Sequence, residues 1–132
     1  MIDFIHGIKP SNQTKMTGLE LPEEQVLESA LDWIERNEDA FDRYMRLARL
    51  QCRSARDGKA SPNSCKEWLR TGLDVNESFA GYGALTFNPR RCVSIVNAWA
   101  PIFARVAMLR DKSLDFRLAE SRYDGYFAAI EY

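Results

Sequence analysis

The stretch from Asn37 to Arg56 reads NEDAFDRYMRLARLQCRSAR and carries the strongest helical signal in the chain. Asn37 is a suitable N-cap, and the two acids that follow it lie where the helix dipole favours carboxylates. Gly58 is a suitable terminator, so the helix is predicted to run to about Arg56. Apolar residues recur at helical spacing and predict one buried face: Phe41, Tyr44, Met45, Ala48 and Cys52.

Helices are also predicted on both sides of this stretch. The first begins near Leu21, with Pro22 in its first turn and an apolar stripe from Val26 to Ile34. A third, shorter helix is capped by Ser61 and ends at Gly72. Residues 72–84 contain three glycines and are predicted to form a loop.

A β-hairpin is predicted after this loop. Its arms are Leu85–Phe87 and Cys92–Val96, and the turn between them is Asn88-Pro89-Arg90-Arg91, in which Asn followed by Pro favours a type I turn. Asn97 is a candidate cap for a fourth helix that ends near Met108 or Leu109, and Ser113 is a candidate start for a last helical segment.

The predicted fold class is therefore mainly α with one β-hairpin, an α+β arrangement. The order helix, helix, helix, hairpin, helix is that of a winged helix, which is a variant of helix-turn-helix. With 132 residues the chain predicts an N-terminal arm over residues 1–19, which could be mobile, and a single helix-rich domain over 20–132. No apolar run of membrane-spanning length or secretory signal is present, and three widely spaced cysteines favour a reducing, cytoplasmic compartment.

Charge is distributed unevenly along the chain. Residues 1–42 hold ten acids and three bases, residues 43–117 hold fourteen bases and six acids, and the whole chain has a net charge of −1. This asymmetry indicates either a basic binding surface with a separate acidic face, or two regions that pair with each other inside one fold.

The second predicted helix carries a row of arginines. At about 100° per residue these side chains fall within an arc of roughly 140°, and arginine pairs well with phosphate or carboxylate. The row therefore predicts a binding surface for nucleic acid or another anionic partner; the alternative is a solvated face that pairs partly with acids of the first helix. Its members are Arg43, Arg46, Arg49, Arg53 and Arg56.

Two further basic sites fit the helix-turn-helix analogy. Lys66 and Arg70 lie on the polar side of the third helix, the position of a recognition helix, although such a pair is ordinary on any exposed helix. Arg90 and Arg91 lie at the predicted hairpin tip, where they would contact a nucleic-acid backbone or merely keep the turn soluble. The acidic first helix could also imitate phosphates and occupy a basic groove on another protein, or simply be an exposed face.

Catalysis is not predicted. The single histidine, His6, lies in the arm, and Cys52, Cys65 and Cys92 occupy apolar positions typical of a core. Neither metal-ligand spacing nor a phosphate-binding glycine motif is present, so no metal and no cofactor are expected.

The chain resembles a family of small phage-borne and prophage-borne proteins of unassigned function over roughly residues 30–120. The resemblance depends on several short matches: Trp33-Ile34, Asn37, Ser61 to Arg70, Phe87, Asn97, Phe103-Ala104-Arg105 and Phe116-Arg117. Phe103 stands where the family has tyrosine, and the insert around Gly81 and Gly83 departs from its pattern. The resemblance implies a mobile-element setting, in which genes of this size often encode DNA-binding regulators or inhibitors of host defence.

Three functions follow from these observations. The first is a non-catalytic DNA-binding regulator, although the sequence pI of about 5.9 is low for such a domain. The second is an anti-CRISPR-like inhibitor that binds a host protein or nucleoprotein complex through a charged surface. The third is an interaction protein that self-associates, for example as a homodimer.

Overall fold

The computed structural model describes residues 22–76, 84–119 and 123–128, so the predicted arm over 1–19 lies outside the described residues. The protein is mainly helical with one two-stranded antiparallel hairpin, as the sequence predicted. In chain order, its helices and strands are α1 (Pro22–Arg36), α2 (Glu38–Ser54), α3 (Pro62–Thr71), β1 (Leu73–Asn76), β2 (Ala84–Phe87), α4 (Ala100–Arg110) and α5 (Asp124–Ala128).

Asn37 separates α1 from α2, and its side chain acts on the helix before it. Its Nδ2 donates to the carbonyl oxygen of Trp33 at 2.8 Å, and it makes no capping bond to α2. Asn37 is thus the N-cap residue of α2 by position, while its side-chain amide provides a hydrogen-bond donor for a carbonyl group in the last turn of α1.

The ends of α3 follow the sequence signals closely. Ser61 caps it by accepting a hydrogen bond from the Ser64 backbone at 3.2 Å, and Pro62 takes the first helical position. Gly72 ends it in the left-handed conformation, with φ of +96°. This turn leads the chain directly into β1, so residues 73–76 form a strand and the prediction of a loop there is wrong.

The partner of β2 is β1, in the register Leu73↔Phe87 to Asn76↔Ala84. The predicted pairing of 85–87 with 92–96 is wrong, because the second segment forms no strand and Val93 donates its N–H to the carbonyl of Arg70 in α3. Asn88 to Arg91 still forms a tight turn, with the Asn88 side chain accepting from the Arg90 backbone.

The chain after the hairpin is less regular than predicted. A 3-10 turn, Asn97–Trp99, precedes α4, and the Asn97 side chain accepts from Lys66 instead of capping the helix. No helix starts at Ser113. Instead Phe116 forms an isolated parallel β-bridge with Ala60, so this segment lies against the connection between α2 and α3.

The core lies where α2 meets the other elements, and aromatic rings fill its centre. Phe103 of α4 packs edge-on against both Phe41 and Tyr44, with ring centroids 5.4 Å apart in each pair. Cys65 is fully buried, Cys52 is half-buried and Cys92 is exposed, so the core prediction fails for Cys92.

Candidate nucleic-acid interface

Three of the five arginines of the predicted row have partners inside the fold, and the fifth, Arg56, lies just beyond the end of α2 at Ser54. Arg46 makes a bidentate contact with Asp74 of β1 at 3.0 Å, and Arg49 donates to Asp111 at 2.8 Å. Arg43 is only 2% exposed and donates to the carbonyl oxygen of Arg91 at 2.8 Å. The arginine row is therefore not one continuous solvated face.

The other two arginines of the row face solvent near the end of α2. Arg53 and Arg56 are exposed, and Lys59 lies three residues further on in the connection to α3, also exposed. No ion pair involves these three side chains in the part of the chain that the structure describes, so their donors are available to a partner.

Arg117 adds a fourth base to this region from the distant end of the chain. Its Nε and Nη2 donate to the two carboxylate oxygens of Asp57 at 3.0 and 3.1 Å. The hydrogen bonding by Arg117, together with a hydrogen bond from the Lys59 backbone, lowers the pKa of the Asp57 carboxyl below its usual value. Asp57 is half-exposed, so it orients Arg117 at the surface and does not bury it. We call Arg53, Arg56, Lys59 and Arg117 the α2–α3 basic surface.

The backbone around this surface is well braced. The Ala60 N–H donates to the carbonyl of Asp115 at 2.8 Å, and the Arg117 N–H donates to the carbonyl of Ala60 at 2.9 Å. The Ser61 N–H donates to the Gln51 side chain at 2.9 Å. Because these hydrogen bonds fix the backbone of the loop before a partner binds, less conformational entropy is lost on binding. Sequence reasoning missed Lys59 and Arg117, because Arg117 lies 60 residues from Asp57 and only the fold brings them together.

The predicted recognition helix offers few free groups. Lys66 is 2% exposed and donates to Asn97 at 2.9 Å, so the prediction that it lies on an exposed polar side is wrong. Arg70 pairs with Glu67 within α3. Asn63 and Ser64, at the start of α3 and beside the α2–α3 basic surface, are exposed.

Arg90 and Arg91 do not lie at a hairpin tip. They follow β2 in the 3-10 turn Pro89–Arg91, at the base of the hairpin, because the Asn88 N–H donates to the carbonyl of Gly72. The Arg91 side chain pairs with Asp74 at 2.9 Å, while Arg90 is exposed. Residues 77–83, between the two strands, lie outside the described residues.

Ion pairs of two kinds involve the basic region of the sequence. Arg110 contacts Glu38 and so joins residues 43–117 to residues 1–42. Among the described residues, several other arginines pair with acids that follow residue 42: Arg46, Arg49, Arg70, Arg91, Arg105 and Arg117.

A shallow cleft of about 400 Å³ lies beside α2, next to Arg110 at the end of α4. Arg46, Arg49 and Arg110 line it together with Asp42 and Met45. Because Asp74, Asp111 and Glu38 each pair with one of these arginines, the cleft has little net positive charge.

Several chemical features bear on other functions. Burial raises the pKa of the Cys65 thiol to about 12, which makes it a poor nucleophile. Within residues 22–76, 84–119 and 123–128, no cluster of His, Cys, Asp and Glu could hold a metal ion. No helix in these ranges is long and apolar enough to cross a membrane.

The chain matches no protein-family model, and neither a curated protein nor a solved structure shows significant similarity to it. The resemblance to phage-borne proteins stays a prediction, and the charged surfaces are the features from which a function is inferred.

Proposed function

We propose that this protein binds nucleic acid by its phosphate backbone, with the α2–α3 basic surface as the principal contact. The observation that carries the proposal is the exposure of Arg53, Arg56 and Lys59 without an ion pair among the described residues, beside an oriented Arg117. Guanidinium groups donate in a fork that matches phosphate oxygens, and backbone contacts of this kind supply most non-specific affinity.

The order of elements supports a winged-helix-like arrangement, in which α2, α3 and the hairpin would form the nucleic-acid side. Helix-turn-helix proteins approach DNA with the start of their second helix, and Asn63 and Ser64 are exposed there. Because Lys66 and Arg70 are held by internal partners, we expect contacts to phosphates to outweigh readout of base edges.

The test is binding to a labelled generic duplex over a range of salt concentrations. Each phosphate that a variant no longer neutralises should reduce the slope of log affinity against log salt by about 0.9. We expect Arg53→Gln/Arg56→Gln to weaken binding and to reduce the slope by about 2. A matched variant, Arg36→Gln/Lys112→Gln, removes the same charge from exposed positions elsewhere and should change both quantities much less.

Circular dichroism establishes that each variant is folded before its affinity is compared. Equal reductions in the two variants would show that only net charge matters and would reject the α2–α3 basic surface as the interface. Absence of salt-sensitive binding by the unaltered protein would reject nucleic-acid binding altogether.

A second candidate function is inhibition of a host nucleoprotein complex, and the unneutralised acidic face favours it. Glu35, Asp39 and Asp42 are exposed without an ion pair among the described residues, along α1 and the start of α2. A row of carboxylates can occupy a groove that normally holds phosphates. On this proposal, the protein inhibits a purified RNA-guided nuclease without binding bare duplex, and Asp39→Asn/Asp42→Asn abolishes the inhibition.

A further inference from the structure

The base of the hairpin gathers three arginines around one carboxylate. Asp74 accepts two hydrogen bonds from Arg46 at 3.0 Å and one from Arg91 at 2.9 Å. Arg43 lies behind them and donates its Nη2 to the carbonyl oxygen of Arg91 at 2.8 Å. We call Arg43, Arg46, Arg91 and Asp74 the hairpin-base cluster.

The carboxylate of this cluster is shared, and Arg43 has none. Asp74 accepts from both Arg46 and Arg91, whereas Arg43 is held by a carbonyl oxygen and forms no ion pair among the described residues. Burial lowers the pKa of Arg43, and Arg91 and Arg46 lower it further, while Asp74 and Cys92 oppose them. The positive charges of neighbouring guanidinium groups repel each other, and the repulsion is strongest where water is excluded.

Arg43 also has unused hydrogen-bond donors. Its Nε and Nη1 are fully buried and have no hydrogen-bond partner, although the residue is only 2% exposed. A buried donor without an acceptor costs free energy, and a charged donor costs more than a neutral one. A guanidinium without a carboxylate and two unused donors therefore occur in the same residue.

We propose that the hairpin-base cluster binds a phosphoryl group, which enters beside Arg91 and accepts hydrogen bonds from Arg91 and Arg43. A phosphate group brings negative charge to an arginine that has no carboxylate, and its tetrahedral oxygens suit guanidinium donors arriving from different directions. The Arg91 side chain is 45% exposed and held by one hydrogen bond to Asp74, so it is the member that can move to admit the anion.

This site is distinct from the α2–α3 basic surface. Arg43 and Arg53 lie ten residues apart on α2, which places them about 15 Å apart along the helix axis. The proposal does not depend on nucleic-acid binding, because a phosphate monoester with three terminal oxygens and a phosphodiester with two could each accept from Arg91 and Arg43.

The test is thermal unfolding in inorganic phosphate, compared with sodium chloride at equal ionic strength and pH 7. An anion that binds only the folded state raises the melting temperature in a saturable way, by about 10 °C when its concentration is a hundred times its Kd. We expect this rise for the unaltered protein and no saturable rise for Arg91→Gln, whose backbone carbonyl still accepts from Arg43.

The variant Asp74→Asn tests whether the hairpin-base cluster binds a ligand or only stabilises the fold. Removing this carboxylate lowers stability without phosphate, but it raises the positive charge of the cluster by one and should strengthen the phosphate response. Asp111→Asn is the matched control, since it also deprives an arginine of its carboxylate but leaves the hairpin-base cluster intact. Its phosphate response should equal that of the unaltered protein.

Three results would overturn the proposal: no saturable rise in the unaltered protein, an undiminished rise in Arg91→Gln, or a weaker response in Asp74→Asn than in Asp111→Asn. Two further ligands identify the source of the phosphoryl group. A rise with a 5′-phosphorylated mononucleotide but not with an unphosphorylated oligonucleotide supports a monoester ligand. A rise with both supports a phosphodiester backbone.

Discussion

Gly72 holds a backbone conformation that no other residue adopts without strain, with φ of +96° at the end of α3. A Cβ at this position would also collide with the carbonyl oxygen of Asn88, whose N–H donates to Gly72. We therefore expect Gly72→Ala to lower the free energy of unfolding by about 2–3 kcal/mol, measured by chemical denaturation.

Gly58 is the control for this prediction. It also has a positive φ, of +71°, but a Cβ there would meet nothing within 4 Å. Gly58→Ala should lower the free energy of unfolding by about 1 kcal/mol, the cost of a positive φ without a steric collision. Equal effects of the two substitutions would show that the close approach of Asn88 contributes nothing.

Helix α3 depends on its cap for a correct start beside the α2–α3 basic surface. Ser61 accepts from the Ser64 backbone, and its own N–H is held by Gln51. Ser61→Ala should lower the free energy of unfolding by about 1 kcal/mol, because one N–H of the first turn loses its acceptor. Ser64→Ala changes an exposed serine within the same turn and should have no destabilising effect. Equal destabilisation by both substitutions would contradict the capping role.

Local signals account for the elements that the sequence predicted well. The stop at Gly72 and the cap at Ser61 depend on groups within a few residues, and so does the turn at Asn88. The predicted partner of β2 was wrong, because the actual partner depends on where Gly72 directs the chain. By composition, the β-branched segment 92–96 fitted a hairpin equally well. Strand pairing is set by tertiary contacts, which propensity alone does not specify.

The candidate interface was predicted only in part, for a similar reason. Periodicity placed the arginines of α2 on one side of the helix, but it could not show which of them would meet a carboxylate. Arg46 meets Asp74 and Arg49 meets Asp111, whereas Arg53 reaches beyond the packed part of α2. Lys66 was misplaced because α4 and its preceding turn cover that side of α3 and bring Asn97 against it.

At the scale of the whole fold, several ion pairs of the described residues link segments that are distant in sequence, and carboxylates are the members that titrate in acid. The pKa of Asp57 is lowered by its hydrogen bond to Arg117, and that of Asp111 by Ser113 and then Arg49. For Asp74, burial raises the pKa, but the hydrogen bonds from Arg46 and from the Val75 backbone outweigh it, so the net shift is downward.

A carboxyl whose pKa is lower in the folded state binds fewer protons when folded than when unfolded at the same acidic pH. Its contribution to stability is therefore complete above its unfolded pKa, about 3.9, and is lost as the pH falls through the folded value. We expect the melting temperature to change little from pH 7 to 5 on account of these groups, and to fall steeply below pH 4. Asp74→Asn removes one of the three groups, so its melting temperature should start lower at pH 7 and decline less between pH 4 and 2. A decline as steep as that of the unaltered protein would mean that Asp74 does not contribute to acid unfolding, and that its pairing with Arg46 and Arg91 is energetically neutral.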